Sequence, residues 1–319
     1  MKNFKKAALV GSAIATLGFM GAISAPANAG QLHNGWNYGI DALNDGSGGE
    51  NYNIRGLAIK ETDDQIFVGF TGGTKWDGHN DSLAGGGKIG WGDLFFNFSP
   101  EANFTDLVAD YGSYTDSQKV YDVKDEYKGS LLAVKFAPND QGGEFGLYSV
   151  DSLKGITRDN SGYKHINHYD NSGFLQDENA MGTDLSSKAS VKDYFGTNQR
   201  ILNVVEEGTK LAGITQLDEA ALTAKGLNFD NFLGGVNTEG YKSTFGFSLN
   251  KSALEGVLPG GISDFMAHVF LECANDGVAL AGNFALPEED ATVPEPSTLL
   301  GLSAIGLAFL RKRRQPSVS

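Results

Sequence analysis

A single cysteine, Cys273, in 319 residues leaves no intrachain disulfide to form, so stability must come from packing, with a bound metal as the remaining aid. Positive charge is scarce too: 25 Lys and Arg stand against 39 Asp and Glu, a formal net charge of minus 14. The two ends are basic, plus 3 over residues 1–29 and plus 3 over 294–319, so residues 30–293 carry minus 20. Such a body repels polyphosphate, which excludes nucleic acid as a partner, and its acidic surface suits divalent cations and solubility outside a cell. Catalytic signatures are missing. There is no G-x-S-x-G, no Walker sequence and no evident carboxylate pair for glycoside hydrolysis. Gly85, Gly87 and Gly90 formally spell G-x-G-x-x-G, but Leu94-Phe95-Phe96-Asn97-Phe98 follows, a strand where a dinucleotide site needs a helix N-terminus. No enzymatic activity is expected.

What the chain does have is turn chemistry and strand periodicity. Glycine, at 43 residues, is about twice its usual share of roughly 7 %. Aromatics at 11 % and the lack of charge blocks in the body argue against disorder. Tyr52, Ile54, Leu57 and Ile59 precede Glu61-Thr62-Asp63-Asp64, and Ile66 to Phe70 follow, which predicts a hairpin. A second hairpin is predicted from Leu131–Phe136, the turn Pro138 to Gly143, and Phe145–Val150. Residues 151–198 read as a long loop, and Leu217 to Ala224 as a short helix with Thr215 as its cap. Strands return at Phe245–Leu249, Phe265–Cys273 and Val278–Phe284, the last two joined by Asn275-Asp276-Gly277. No repeat of fixed period stands out. The fold class expected is all-β, a sandwich or jelly-roll-like body with a few short helices.

The ends address the protein. Lys2, Lys5 and Lys6, an uncharged run from Ala7 to Ser24, and Ala27-Asn28-Ala29 are the parts of a secretory signal peptide, with signal peptidase expected to cut between Ala29 and Gly30. At the other end stand Val293-Pro294-Glu295-Pro296-Ser297, an apolar segment 297–310, and Arg311-Lys312-Arg313-Arg314. The uncharged stretch from Pro296 to Leu310 reaches roughly 22 Å as a helix against a hydrocarbon core of about 30 Å, marginal for a permanent span. The four cations resist crossing and hold the C-terminus in the cytoplasm. The expected organisation is a signal peptide at 1–29, an extracytoplasmic body at 30–286, a linker at 287–293 and a sorting segment at 294–314 with a single transmembrane helix.

This tail resembles the PEP-CTERM sorting signal of Gram-negative bacteria. The resemblance covers about the last 25 residues and implies that an exosortase in the inner membrane cuts near the Pro-Glu-Pro, after transient anchoring, and delivers the body to the cell surface or the exopolysaccharide matrix. Short pieces of the body, Trp91-Gly92-Asp93-Leu94-Phe95-Phe96, Asn139-Asp140 and the stretch from His268 through Glu272 to Asp276, resemble cyanobacterial exosortase-dependent surface proteins. No catalytic residues come with that likeness.

Candidate ligand residues in the body each have a plainer alternative. Trp76 and Trp91, with Trp36 and Tyr38, Tyr111, Tyr114 and Tyr121, are candidates for a sugar-stacking platform; single aromatics of this kind more often fill cores. Asp77, Asn80 and Asp81, and Asp41, Asn44 and Asp45 upstream, are the densest oxygen donors, yet neither group has the D-x-[DN]-x-[DN]-G pattern of a calcium loop. Asn275-Asp276-Gly277 offers side-chain oxygens and is also what a tight turn wants. His165, His168 and Asp170 lack a metal-protease spacing. Cys273 and His268 would point to opposite faces of a regular strand, which leaves Cys273 as a buried thiol. No cofactor is required, and calcium is the one ion left open. The reading is a non-enzymatic surface protein of the envelope or exopolysaccharide matrix, with a calcium-assisted carbohydrate-binding module and a secreted hydrolase as alternatives.

Overall fold

The computed structural model describes residues 30–42, 45, 48–99, 101–112, 119–156, 162–177, 180–233, 242–258 and 262–285. Its strands form two antiparallel sheets. The first runs in the order β1 (Gln31–His33), β2 (Trp36–Ile40), β3 (Ile54–Glu61), β4 (Gln65–Gly72), β13 (Ser243–Asn250) and β12 (Thr215–Asp218). The second runs β11 (Val204–Ala212), β10 (Gly146–Lys154), β9 (Leu131–Lys135), β7 (Leu94–Asn97), β14 (Ile262–Phe270) and β15 (Gly277–Ala285), with β8 (Tyr121–Asp122) also pairing β10. A small ribbon, β5 (His79–Asn80) with β6 (Lys88–Ile89), stands apart.

One apolar core lies between the sheets. Ile54, Leu57 and Ile59 of β3, Val68 and Phe70 of β4 and Phe245 and Phe247 of β13 meet Leu94 and Phe96 of β7, Leu132 and Val134 of β9, and Val269 and Leu280. The middle of each outer face is covered as well, while the edge strands β1, β11 and β12 are largely exposed. On the second sheet, Phe95, Ala133, Val150 and Phe270 point away from the first core into another cluster. It is closed by α1 (Phe104–Leu107), α2 (Ile166–Asn171) and α3 (Lys188–Phe195). On the first sheet, Trp36, Tyr38 and Phe67 pack under α4 (Glu219–Ala224) and α5 (Asp230–Leu233); the last helix is α6 (Ser252–Glu255). Burial on two sides explains why β7 reads Leu-Phe-Phe-Asn and β9 Leu-Leu-Ala-Val-Lys, with every residue buried, instead of alternating with polar residues.

Both expected hairpins are present, β3 with β4 and β9 with β10. The stretch 151–198 differs from the expected loop. Strand β10 continues to Lys154, and α2 and α3 follow, each capped by a side chain: His165 Nδ1 accepts from His168 N, and Ser187 Oγ from Ser190 N. The helix near 217 starts later than expected, because Thr215 to Asp218 pair with β13 and the cap is Asp218, whose carboxylate accepts from Ala221 N at 2.8 Å. Strand β14 ends at Phe270, with Leu271 bridged to Trp91 and the chain turning before Cys273. The signal peptide, the linker from residue 287 and the apolar tail lie outside the described residues.

The two sheets approach most closely where β2 and β3 meet β15. A Cβ on Gly39 of β2 would stand 2.9 Å from Ala279 O and 3.2 Å from Leu280 Cβ, so only glycine permits this spacing. Asn37 Nδ2 donates to Ala281 O at 2.7 Å across the same junction. The outer edge of β15 is covered too, since Ala279 N donates to Met181 O. A covered edge does not recruit a foreign strand.

Candidate metal centre

The close passage of β2 over β15 brings together residues far apart in sequence. Asp41 directly follows β2, and Asp276 directly precedes β15. With Asp45 from the loop after Asp41, they form a buried group whose ligand oxygens all lie within 4.8 Å of one another. Each of the three carboxylates is 1 % exposed.

The surroundings hold these side chains in place. Asp276 accepts from Ile54 N at 2.5 Å through Oδ2 and from Gly277 N at 2.8 Å through Oδ1. Tyr169, on α2, donates its hydroxyl to Asp45 O at 2.8 Å and lies 3.4 Å from Asp276 Oδ1. Asp41 Oδ1 accepts from Ala42 N at 2.9 Å, while its buried Oδ2 has no hydrogen-bond donor among the described residues. Burial, then repulsion from Asp45 and Asp276, pushes the Asp41 carboxyl well above the ordinary carboxylate range. Asp276 is also raised by burial, against the pull of the Ile54 and Gly277 amides. Burial, followed by the nearby carboxylates, raises the Tyr169 hydroxyl. An all-oxygen set of this kind suits a hard cation.

The other residues singled out from sequence are distributed differently. Trp91 is fully buried among Phe70, Phe136 and Phe245, with Nε1 donating to Lys75 O at 3.0 Å, so neither of its faces is open to a sugar. Trp76 is half-buried, donates to Phe136 O at 2.8 Å and meets Phe145 edge-on. Trp36, Tyr38 and Tyr121 are core residues. Asp77 is exposed and pairs with Lys88; Asn80 is exposed on β5; Asp81 accepts from Tyr52 OH and Leu83 N. Asp170 is engaged by Lys188 and Lys192. His268 and Cys273 sit on opposite sides of the second sheet, the imidazole under the helices and the thiol in the central core. Burial pushes Cys273 above its ordinary value, which keeps it a thiol.

A second group of polar residues ties the loops at one end of the second sheet together. Glu272 accepts from Gly90 N at 2.5 Å and Asp140 N at 2.6 Å, Asp93 accepts from Asn139 Nδ2 and Val205 N, and Asn203 Nδ2 donates to Leu271 O and Glu272 O. The short pieces around Trp91, Asn139 and Glu272 thus meet in space. Asn203 and Val205 had no distinguishing sequence signal.

Residues 292–314 match the PEP-CTERM protein-sorting motif. The chain carries an exosortase sorting signal. The match contains Val293, Pro294, Glu295, Pro296, Ser297 and the basic end Arg311-Lys312-Arg313-Arg314, and it implies exosortase processing of a secreted protein that ends at the cell surface. No curated protein and no solved structure matches the chain, and nothing supports the likeness of the body to cyanobacterial surface proteins. The sorting residues, and Ala27 and Ala29 of the signal peptidase site, lie outside the described residues; Gly30 is the first residue described.

Proposed function

We propose that this is a non-enzymatic surface protein whose β body becomes part of the cell envelope or of the exopolysaccharide matrix after cleavage at both ends. The observation that carries this reading is the sorting motif at residues 292–314, which lies in sequence shortly after β15, the last strand among the described residues. The physical order fits delivery. The basic end holds the tail at the cytoplasmic side while the body, at minus 20 before the tail, stands outside. A non-catalytic role is favoured by the separation of His268 from Cys273, the one histidine and cysteine pair that the strand pattern offers for nucleophilic chemistry. Association with a matrix polysaccharide is assigned here to the surface of the whole body, since Trp91 is enclosed and Trp76 is braced within the loops.

Intact masses of the protein from membrane and surface fractions of the native host test the reading. A mature form that begins at Gly30 and ends near Pro294 is expected in the surface fraction. A form that keeps residues 298–319 there would replace sorting with plain anchoring. Retention of the purified protein on the host's own polysaccharide tests the matrix role, and passage through without delay would remove it.

A further inference from the structure

We infer that Asp41, Asp45 and Asp276 bind one calcium ion, which fastens the end of β2 to the start of β15. The inference is independent of where the protein is sorted. Its first basis is geometric: the three ligand oxygens come from two separate segments and lie within 4.8 Å of one another, a span that one ion with bonds of about 2.3–2.6 Å can bridge. The second is the hydrogen-bond pattern. Both oxygens of Asp276 accept backbone N–H donors, an arrangement that favours the ionised carboxylate. Beside it, Asp41 Oδ2 is buried and receives no N–H donor among the described residues, and the hydrogen-bonding neighbour of its side chain is another acid, Asp276. Negative charge enclosed in this way needs a positive partner, and among the described residues neither Asp41 nor Asp276 has an ion pair with Lys or Arg.

The rival account is a proton shared between Asp41 and Asp276, with no ion. The two differ in what the donors select. A shared proton uses one atom from each of two carboxylates and does not involve Asp45, whereas calcium draws on all three. Oxygen ligands without nitrogen or sulfur disfavour zinc and copper, and magnesium, which keeps several waters and is held by one or two carboxylates, suits a buried set of three carboxylates less well.

The test uses the full chain, purified through a chelator and dialysed, with thermal unfolding followed in chelator, in magnesium and in millimolar calcium. Calcium is expected to raise Tm by roughly 5 °C or more at a hundredfold excess over Kd, with a smaller rise in magnesium. Asp41→Asn should abolish the shift, and Asp77→Asn, at the exposed acidic loop, should retain it. An unchanged Tm across all calcium concentrations overturns the site in favour of the shared proton. A shift of full size in Asp41→Asn overturns it as well, by placing the ion elsewhere. Should Asp41→Asn fail to fold, terbium added to the wild-type chain gives a second reading. Tyr169, 3.4 Å from Asp276, should sensitise terbium emission that calcium displaces; no emission refutes the site.

Discussion

His268 provides a quantitative test of the packing around β14. Its imidazole is fully buried, stacked on Phe95 at 5.3 Å and met edge-on by Phe104 at 4.8 Å and Phe195 at 4.9 Å. Neither ring nitrogen has a hydrogen-bond partner among the described residues. Burial alone lowers its pKa from 6.5 to about 3. The folded protein therefore refuses a proton that the unfolded chain accepts below pH 6.5. The stability tied to this group is fully present above 6.5 and is lost as pH falls toward 3. Between pH 7 and pH 5 the loss from this one residue is about 2 kcal/mol, since each unit of pH below the unfolded value is worth about 1.4 kcal/mol.

His268→Leu removes the titration while keeping an apolar side chain of similar size. At neutral pH the two proteins should be close in stability. Relief of an unsatisfied N–H, worth about 1–3 kcal/mol, is offset by lost aromatic contacts of about 0.5–1.5 kcal/mol each. The informative quantity is the difference between urea unfolding free energies at the two pH values, measured for both proteins, because every other titrating group cancels in the comparison. The variant should lose about 2 kcal/mol less than the wild type on going from pH 7 to pH 5. An equal loss in both would show that the imidazole finds a proton partner in the fold, and the enclosed aromatic site would be refuted.

Asp93 titrates in the opposite sense. Burial, only partly countered by Lys135, raises its pKa from 3.8 to about 6, so its contribution is fully present below 3.8 and is lost as pH rises through 6. Asp93→Asn should reduce the fall in stability across that window by up to about 3 kcal/mol, read from urea midpoints at each pH. Glu272→Gln forces an amide NH2 against Gly90 N–H or Asp140 N–H and should cost about 1–3 kcal/mol in urea unfolding at neutral pH; an unchanged midpoint would remove Glu272 from the network. Gly39→Ala places a methyl 2.9 Å from Ala279 O and should cost about 1–3 kcal/mol by the same assay, whereas wild-type stability would mean that the sheets can separate there without loss.

Local features of the fold were legible in sequence because local chemistry decides them. The β3–β4 hairpin is set by alternation on either side of an acidic turn, where Thr62 N bonds to Gln65 O, and the β14–β15 hairpin by its Asn-Asp-Gly turn. Helices α2 and α3 escaped because 6 and 8 residues are too few for a helical period to emerge from polar neighbours. Pairing of β4 with β13 escaped because the contact is non-local and either strand reads equally well beside another partner. The tryptophans illustrate a different limit. A Gly-rich flank gives Trp76 and Trp91 the appearance of loop residues, but which side of a sheet a loop folds over is fixed only by the assembled sandwich. The candidate centre was half visible: Asp41 with Asp45, and Asp276, each stood out locally. Their meeting depends on Gly39 letting β2 lie against β15.

The turn from Leu271 to Asp276 explains how a body without disulfides is joined. Leu271 bridges to Trp91, Glu272 holds the loops at Gly90 and Asp140, and Cys273 O accepts from Tyr163 N in the covering layer. Asp276 then reaches Ile54 on the opposite sheet and Tyr169 on α2. Six consecutive residues thus touch both sheets and the helical cover. Their polar groups are buried, so each bond costs its full desolvation if broken alone, and the layers are expected to separate together. A calcium ion at Asp276 would act at this same joint, which is why it should change the stability of the whole fold and not only the order of one loop.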